Sequence, residues 1–156
     1  MKKKIYSVHP VQCVWGLVCS LSSVDQERNN ISLFNVIDEI NIQKEYFTKP
    51  GTKLLQLEHE IITLWRRTMD NVIDNRELSI DAEIALLDPQ GKVIQQIITP
   101  LKLNPSIRRT RFRLRVNGFS YTVPGDYVYR ISIIPNDGGA LSTVFQIPFE
   151  IKEKLK

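Results

Sequence analysis

The sequence holds few residues of the kinds that do chemistry, and their spacing mostly argues against it. His9 and His59 are its histidines, and Cys13 and Cys19 its cysteines. No CxxC, HxH or HExxH spacing joins them, so the ligand sets of ordinary zinc sites are missing. His59 lies between Glu58 and Glu60. Neighbours on a strand point to opposite faces, so the two carboxylates share a face that His59 does not, and His59 reads as an ordinary strand histidine. Cys13 and Cys19 fall on the apolar parity of one strand, where surroundings raise a thiol's pKa instead of activating it. At that separation an extended chain holds them about 20 Å apart, too far for a disulfide. Both read as buried, reduced thiols. Glu58 and Glu60, and Asp81 and Glu83, form same-face carboxylate pairs of the sort acid/base chemistry uses, but a solvated sheet face needs polar residues at those positions anyway. Asp137-Gly138-Gly139 lacks the lysine and helix of a phosphate-binding loop and reads as a hairpin turn. No catalytic residue, metal site or cofactor is expected.

One pattern stands above this background. Arg109, Arg111, Arg113 and Arg115 alternate with Thr110, Phe112, Leu114 and Val116. On a strand, alternate residues lie about 6.8 Å apart on one face, near the spacing of successive phosphates. Arginine donates paired hydrogen bonds to phosphate or carboxylate. Arg108 and Arg130 are candidates to extend the patch, and Tyr121, Phe119 or Trp65 to supply stacking surfaces for single-stranded nucleic acid. The plainer reading is structural: the ladder faces Asp81, Glu83, Glu58 or Glu60 across a sheet, since opposite charges stabilise cross-strand pairs, and arginines on a strand also discourage edge-to-edge aggregation.

The elements that must carry these residues are strands. Alternation recurs along the chain with no sustained 3.6-residue period. Val11, Cys13, Trp15, Leu17, Cys19 and Leu21 make one apolar face. Residues 31–42 follow, with a change of phase that suggests a bulge or a strand covered on both sides. The strand over 54–67 shows no preferred buried face. Leu78, Ile80, Ala82, Ile84 and Leu86 give the cleanest half-buried pattern. Asp88-Pro89-Gln90-Gly91 has turn chemistry and leads to a strand over 93–99. The arginine strand, a strand through Tyr127, Tyr129, Ile131 and Ile133, and a last one through Phe145, Ile147, Phe149 and Ile151 complete the set. Pro148 removes a backbone donor, so the last strand is expected at an edge or bulged. About eight strands separated by turns predict an all-β fold, a two-sheet antiparallel sandwich of immunoglobulin-like type, with a closed barrel as the structural alternative. Phe112, Leu114, Tyr127, Ile131, Phe145, Ile147, Ile80 and Ile84 are the expected core.

Pro124-Gly125-Asp126-Tyr127-Val128-Tyr129 resembles the P-G-x-Y entry to a late strand in immunoglobulin-like domains. That resemblance implies a packing role for Tyr127, with its hydroxyl returning to nearby backbone. Taken with the first strand, Ser32 to Asp38 and Leu87 to Val93, the order resembles a group of short bacterial single-domain immunoglobulin-like β-sandwich proteins. The likeness implies a fold and no activity or site.

Length and composition agree with one globular domain over residues 1–156: 42% of the residues are hydrophobic and 24% charged. The net charge of +4 is a mild excess, and Lys2, Lys3, Lys4, Lys152, Lys154 and Lys156 place much of it at the two ends. His9, Pro10 and Gln12 interrupt the apolar stretch that follows the first lysines, so it is not read as a secretory signal. No window reaches the length of a membrane span, and free thiols suit a reducing cytosol. The expectation is a cytoplasmic, non-enzymatic binding or scaffold domain engaging a protein partner. A nucleic-acid module working through the Arg109–Arg115 face is the alternative.

Overall fold

The computed structural model describes residues 11–68, 77–135 and 138–154. Lys2, Lys3, Lys4, His9, Pro10, the polar segment over 70–76, Asn136, Asp137 and Lys156 lie outside them. Nine strands appear among the described residues: β1 (Val11–Asp25), β2 (Asn30–Val36), β3 (Glu39–Gln43), β4 (Lys53–Arg67), β5 (Leu78–Leu87), β6 (Val93–Leu103), β7 (Arg109–Tyr121), β8 (Gly125–Ile134) and β9 (Ser142–Lys154). A short 3-10 turn, Lys44–Phe47, follows β3. The strands form a four-stranded sheet in the order β2-β1-β4-β7 and a five-stranded sheet in the order β3-β9-β8-β5-β6. No helix among the described residues is long and apolar enough to cross a membrane.

The fold is all-β and two-layered, as the alternation predicts. Two details differ from expectation. The strand expected over 31–42 changes sheets: β2 pairs with β1 in one sheet, and β3 pairs with β9 in the other. This division raises the strand count to nine, and the β3–β9 pairing is parallel, so the sandwich is not wholly antiparallel. The phase change within 31–42 marks that crossing.

The core lies between the sheets. Ile61, Trp65, Val116 and Phe119 meet Ile80, Ile84, Leu86, Tyr127, Ile131 and Ile151 there. Tyr127, Ile131, Ile147, Ile80 and Ile84 are buried as expected, whereas Phe112, Leu114 and Phe145 are only half-buried and pack against the core from its border. Tyr127 forms the expected corner. Its hydroxyl donates to Val123 O at 2.6 Å and accepts from the amides of Thr122 at 2.9 Å and Val123 at 3.2 Å. Asp88 fastens the same end: Oδ1 accepts from the Gln90 and Lys92 amides, and Oδ2 from Thr122 Oγ1. Pro148 lies where β9 has β8 on one side only, because the β3 ladder runs from Glu150 to Lys154. The missing amide therefore costs the sheet nothing.

The first strand departs from its single apolar face. Cys13 pairs with Trp65, but Trp15 pairs with Leu64, so one extra residue bulges there. The bulge shifts the alternation by one. Val11 and Cys13 face the core, then Gly16 and Val18 do, and Leu17 and Cys19 turn to the outer face beside Ile62 and Glu60. The cysteines are both buried and free, on opposite faces. Gly16 has a packing reason, since a Cβ there would come within 3.1 Å of Ile147 Cδ1 and 3.2 Å of Thr63 Cγ2.

Cys19 and Ile62 point outward yet are shut off from solvent. The β1–β2 hairpin supplies the cover. In a flat four-stranded sheet, β2 and β7 would lie about 14 Å apart. Instead Arg111 on β7 donates to the Asn29 carbonyl and side-chain oxygen at the tip of the hairpin, and Arg113 reaches the Ser22 oxygens at 3.4 Å. The sheet curls, and the hairpin lies over the outer face of β4. Both faces of β4 are therefore buried over His59, Glu60, Ile61, Ile62 and Thr63, which is why its pattern names no buried side.

Candidate functional site

The arginine strand is β7, at the free end of the four-stranded sheet. Its even-numbered residues turn toward the core border, and Arg109, Arg111, Arg113 and Arg115 share the outer face. The chain itself engages three of these rungs. Arg115 forms an ion pair with Glu60 at 3.2 Å, Arg113 holds Ser22, and Arg111 holds Asn29. Glu60 is only 1% exposed. It accepts from Ser22 Oγ at 2.5 Å as well as from Arg115. Burial works to raise its carboxyl, but the Ser22 hydroxyl and the Arg115 and Arg113 guanidinium groups outweigh this and hold it below the usual carboxylate range.

Of the four carboxylates expected opposite the ladder, Glu60 alone meets it. Asp81 and Glu83 belong to β5 in the other sheet, and Glu58 is exposed beyond the last rung. Arg130 does not extend the patch. It lies on β8, also in the other sheet, where it pairs with Glu83 at 3.5 Å, while Gln96 donates to the same carboxylate. Tyr121, Phe119 and Trp65 are core residues, each closed to solvent, so none offers a face to a nucleic-acid base.

The fourth rung opens onto something the alternation did not reveal. Arg109 stands directly across from Arg66 in the β4–β7 register. Like charges so placed repel. Arg67 and Arg108 flank them, and with Gln12 and Ile107 these four arginines line a cleft of about 480 Å³. No carboxylate lines it among the described residues. Arg66 Nε donates to Gln12 Oε1 at 2.6 Å, and Arg67 Nη2 to Leu103 O at 2.7 Å, so both are held in place. Arg108 and Arg109 make no hydrogen bond or ion pair among the described residues. The signal for this site was two arginine doublets, Arg66-Arg67 and Arg108-Arg109, at neighbouring ends of paired strands.

The other groups with chemical potential are sealed. His59 faces the core, accepting from Tyr129 Oη at Nε2 (2.8 Å) and donating from Nδ1 to Leu57 O (3.0 Å). Burial lowers the pKa of its ring and raises that of Tyr129. Glu60 lies on the opposite face of the same strand, so the pair shares no substrate space. Burial also pushes the Cys13 thiol up to about 12 and raises that of Cys19, which the charge of Glu60 raises further. Among the described residues, no three His, Cys, Asp or Glu side chains gather to hold a metal ion.

No protein-family model matches the chain, and no curated protein is significantly similar to it in sequence. Among solved structures, it is similar to the C-terminal domain of wzt, at 9% identity and a TM-score of 0.38, over 73% of this chain and 88% of that one. It is similar also to the N-terminal domain of PorA, at 12% identity and a TM-score of 0.32, over 90% of this chain and 98% of that one. At such values neither likeness bears on the fold or on what the chain binds.

Proposed function

We propose that the chain is a non-enzymatic binding domain that takes an acidic segment of a protein partner at the arginine end of its four-stranded sheet. The observation that carries this reading is the pair Arg66 and Arg109, opposed in the β4–β7 register at a cleft that Arg108 also lines. Like charges facing each other weaken a sheet, and an anionic partner relieves that repulsion. Arginine forks match carboxylates bidentately, and Ile107 and Pro105 add an apolar wall. A cytoplasmic setting fits the two free thiols.

Nucleic acid is the second reading, favoured by the spacing of the ladder. The burial of Tyr121, Phe119 and Trp65 counts against it, because stacking on aromatic faces supplies much of single-strand affinity. Titration at low salt of a glutamate-rich peptide and of a single-stranded oligonucleotide separates the two. The peptide is expected to bind and to lose at least tenfold in affinity with Arg108→Gln/Arg109→Gln. Oligonucleotide binding with a steep salt slope, about 0.7 counterion per phosphate, and no peptide binding would replace this reading with the second.

A further inference from the structure

The arginine face lies along an open sheet edge. Among the described residues, β7 is the last strand of its sheet and pairs only with β4. The backbone groups that face away from β4 between Arg109 and Asn117 form no ladder with another strand among the described residues. Farther along, the Ser120 amide is taken by Gln95 Oε1 of β6 at 3.4 Å. From Arg109 to Asn117 the register with β4 runs without a shift, and the stretch contains no proline. Gly118, at φ +83°, ends it. An edge of this length in regular register, with no ladder on its far side among the described residues, is a template for another strand.

We propose that this edge docks an extended segment of the acidic partner by strand addition, with carboxylates at alternate positions and apolar residues between them. The inference rests on the acidic-partner reading and adds the geometry. A strand laid beside β7 runs about 4.8 Å away, and its alternate side chains repeat every 6.8 Å or so, in step with Arg109, Arg111, Arg113 and Arg115. Arg109 has no partner among the described residues, and the Arg115 side chain stays 63% exposed despite its ion pair. These two guanidinium groups thus keep donors for carboxylates placed opposite them. The intervening residues of the incoming strand would lie over the core border. There Phe112 and Leu114 are half-buried, and a shallow gap lined by Trp65, Leu103, Thr110 and Phe112 opens between β6 and β7. The Thr110 hydroxyl in that gap is buried without a partner among the described residues.

The same arginines explain selectivity. A second copy of β7 would set arginine against arginine, which blocks self-pairing, while an acidic strand is attracted. Nucleic acid can use the charges but not the backbone groups of the edge.

The test uses the full chain and synthetic decapeptides alternating glutamate and valine. One is unmodified. Two carry backbone N-methyl groups, on every glutamate or on every valine, which leave the charge intact and remove the donors of one side. The unmodified peptide should bind at low salt and slow amide exchange along β7. One methylated peptide should lose at least tenfold in affinity while the other keeps most of it. If all three bind equally, strand addition is wrong and the acidic-partner reading stands. If none binds, both are wrong.

Discussion

Glu60→Gln tests the curl of the four-stranded sheet most directly, because it removes a charge and nearly preserves shape. The wild-type carboxylate is 1% exposed, accepts from Ser22 at 2.5 Å and pairs with Arg115 at 3.2 Å. A hydrogen bond to a charged group contributes about 1.5–3 kcal/mol, and breaking a fully buried ion pair costs about 3–5 kcal/mol. The larger figure does not apply, since the Arg115 side chain is 63% exposed and water solvates it once released. The amide oxygen also keeps one of the two partners. A loss of about 1–2 kcal/mol at neutral pH follows, read by urea denaturation. Its pH dependence has a definite sign. The folded-state carboxyl is held below its ordinary value of 4.5, so its contribution is complete above that pH and fades as pH falls through the lower folded value. The penalty of the variant should therefore shrink in acid. Cys19 stands across from Glu60, and Cys13 faces the core. Under native conditions the variant should label faster at Cys19 while Cys13 stays slow. A variant as stable as wild type, or one that labels both thiols equally faster, would refute the idea that Glu60 holds the hairpin down.

Tyr127→Phe should cost about 1–3 kcal/mol in urea, because two amides and the Val123 carbonyl lose a buried partner; a smaller loss would mean that water replaces the hydroxyl. His59 is buried neutral with its pKa below 6.5. The unfolded chain takes up the proton first, so stability should be full above 6.5, fall as pH drops below it, and show a flatter profile over that window in His59→Gln. Phe112 is half-buried at the border, so Phe112→Ala should cost about 1.5–2.5 kcal/mol, roughly half the 3–5 kcal/mol of a fully enclosed phenylalanine; a melting curve matching the larger figure would place the ring deeper.

The parts of this fold legible in the sequence are those in which one strand face alone is buried. Ile80, Ile84 and Leu86 alternate with Ser79 and Asp81 because the outer face of β5 starts out polar, and Pro124-Gly125 with Tyr127 marks a corner whose partners all lie within five residues. The first strand misleads because a bulge between Cys13 and Trp15 leaves no mark on an unbroken apolar alternation. β4 gives no face because a hydropathy pattern records burial and not direction, and both directions are buried. The ladder's spacing was visible, but its partners were not. Asn29 and Ser22 reach it from a hairpin more than eighty residues earlier, by a curl that no local pattern encodes. The opposed doublets Arg66-Arg67 and Arg108-Arg109 become a site only through the register of β4 on β7.

The strand that changes sheets also sets the order in which the molecule closes. β3 finds its partner in β9, joining Glu39 to Glu150 and Gln43 to Lys154, so this seam waits for nearly the whole chain. Pairings between residues so far apart are slow to form, since the loop entropy comes before the contacts that offset it. During synthesis β3 stands without its counterpart. β3 carries Ile40 and Ile42, which are buried in the finished fold and stay open until β9 arrives, and an unpaired apolar strand invites pairing with other chains. A nascent or truncated chain lacking β9 would present that strand for longer than the finished protein does, and its yield in soluble form would fall with concentration and with delay at the last strand.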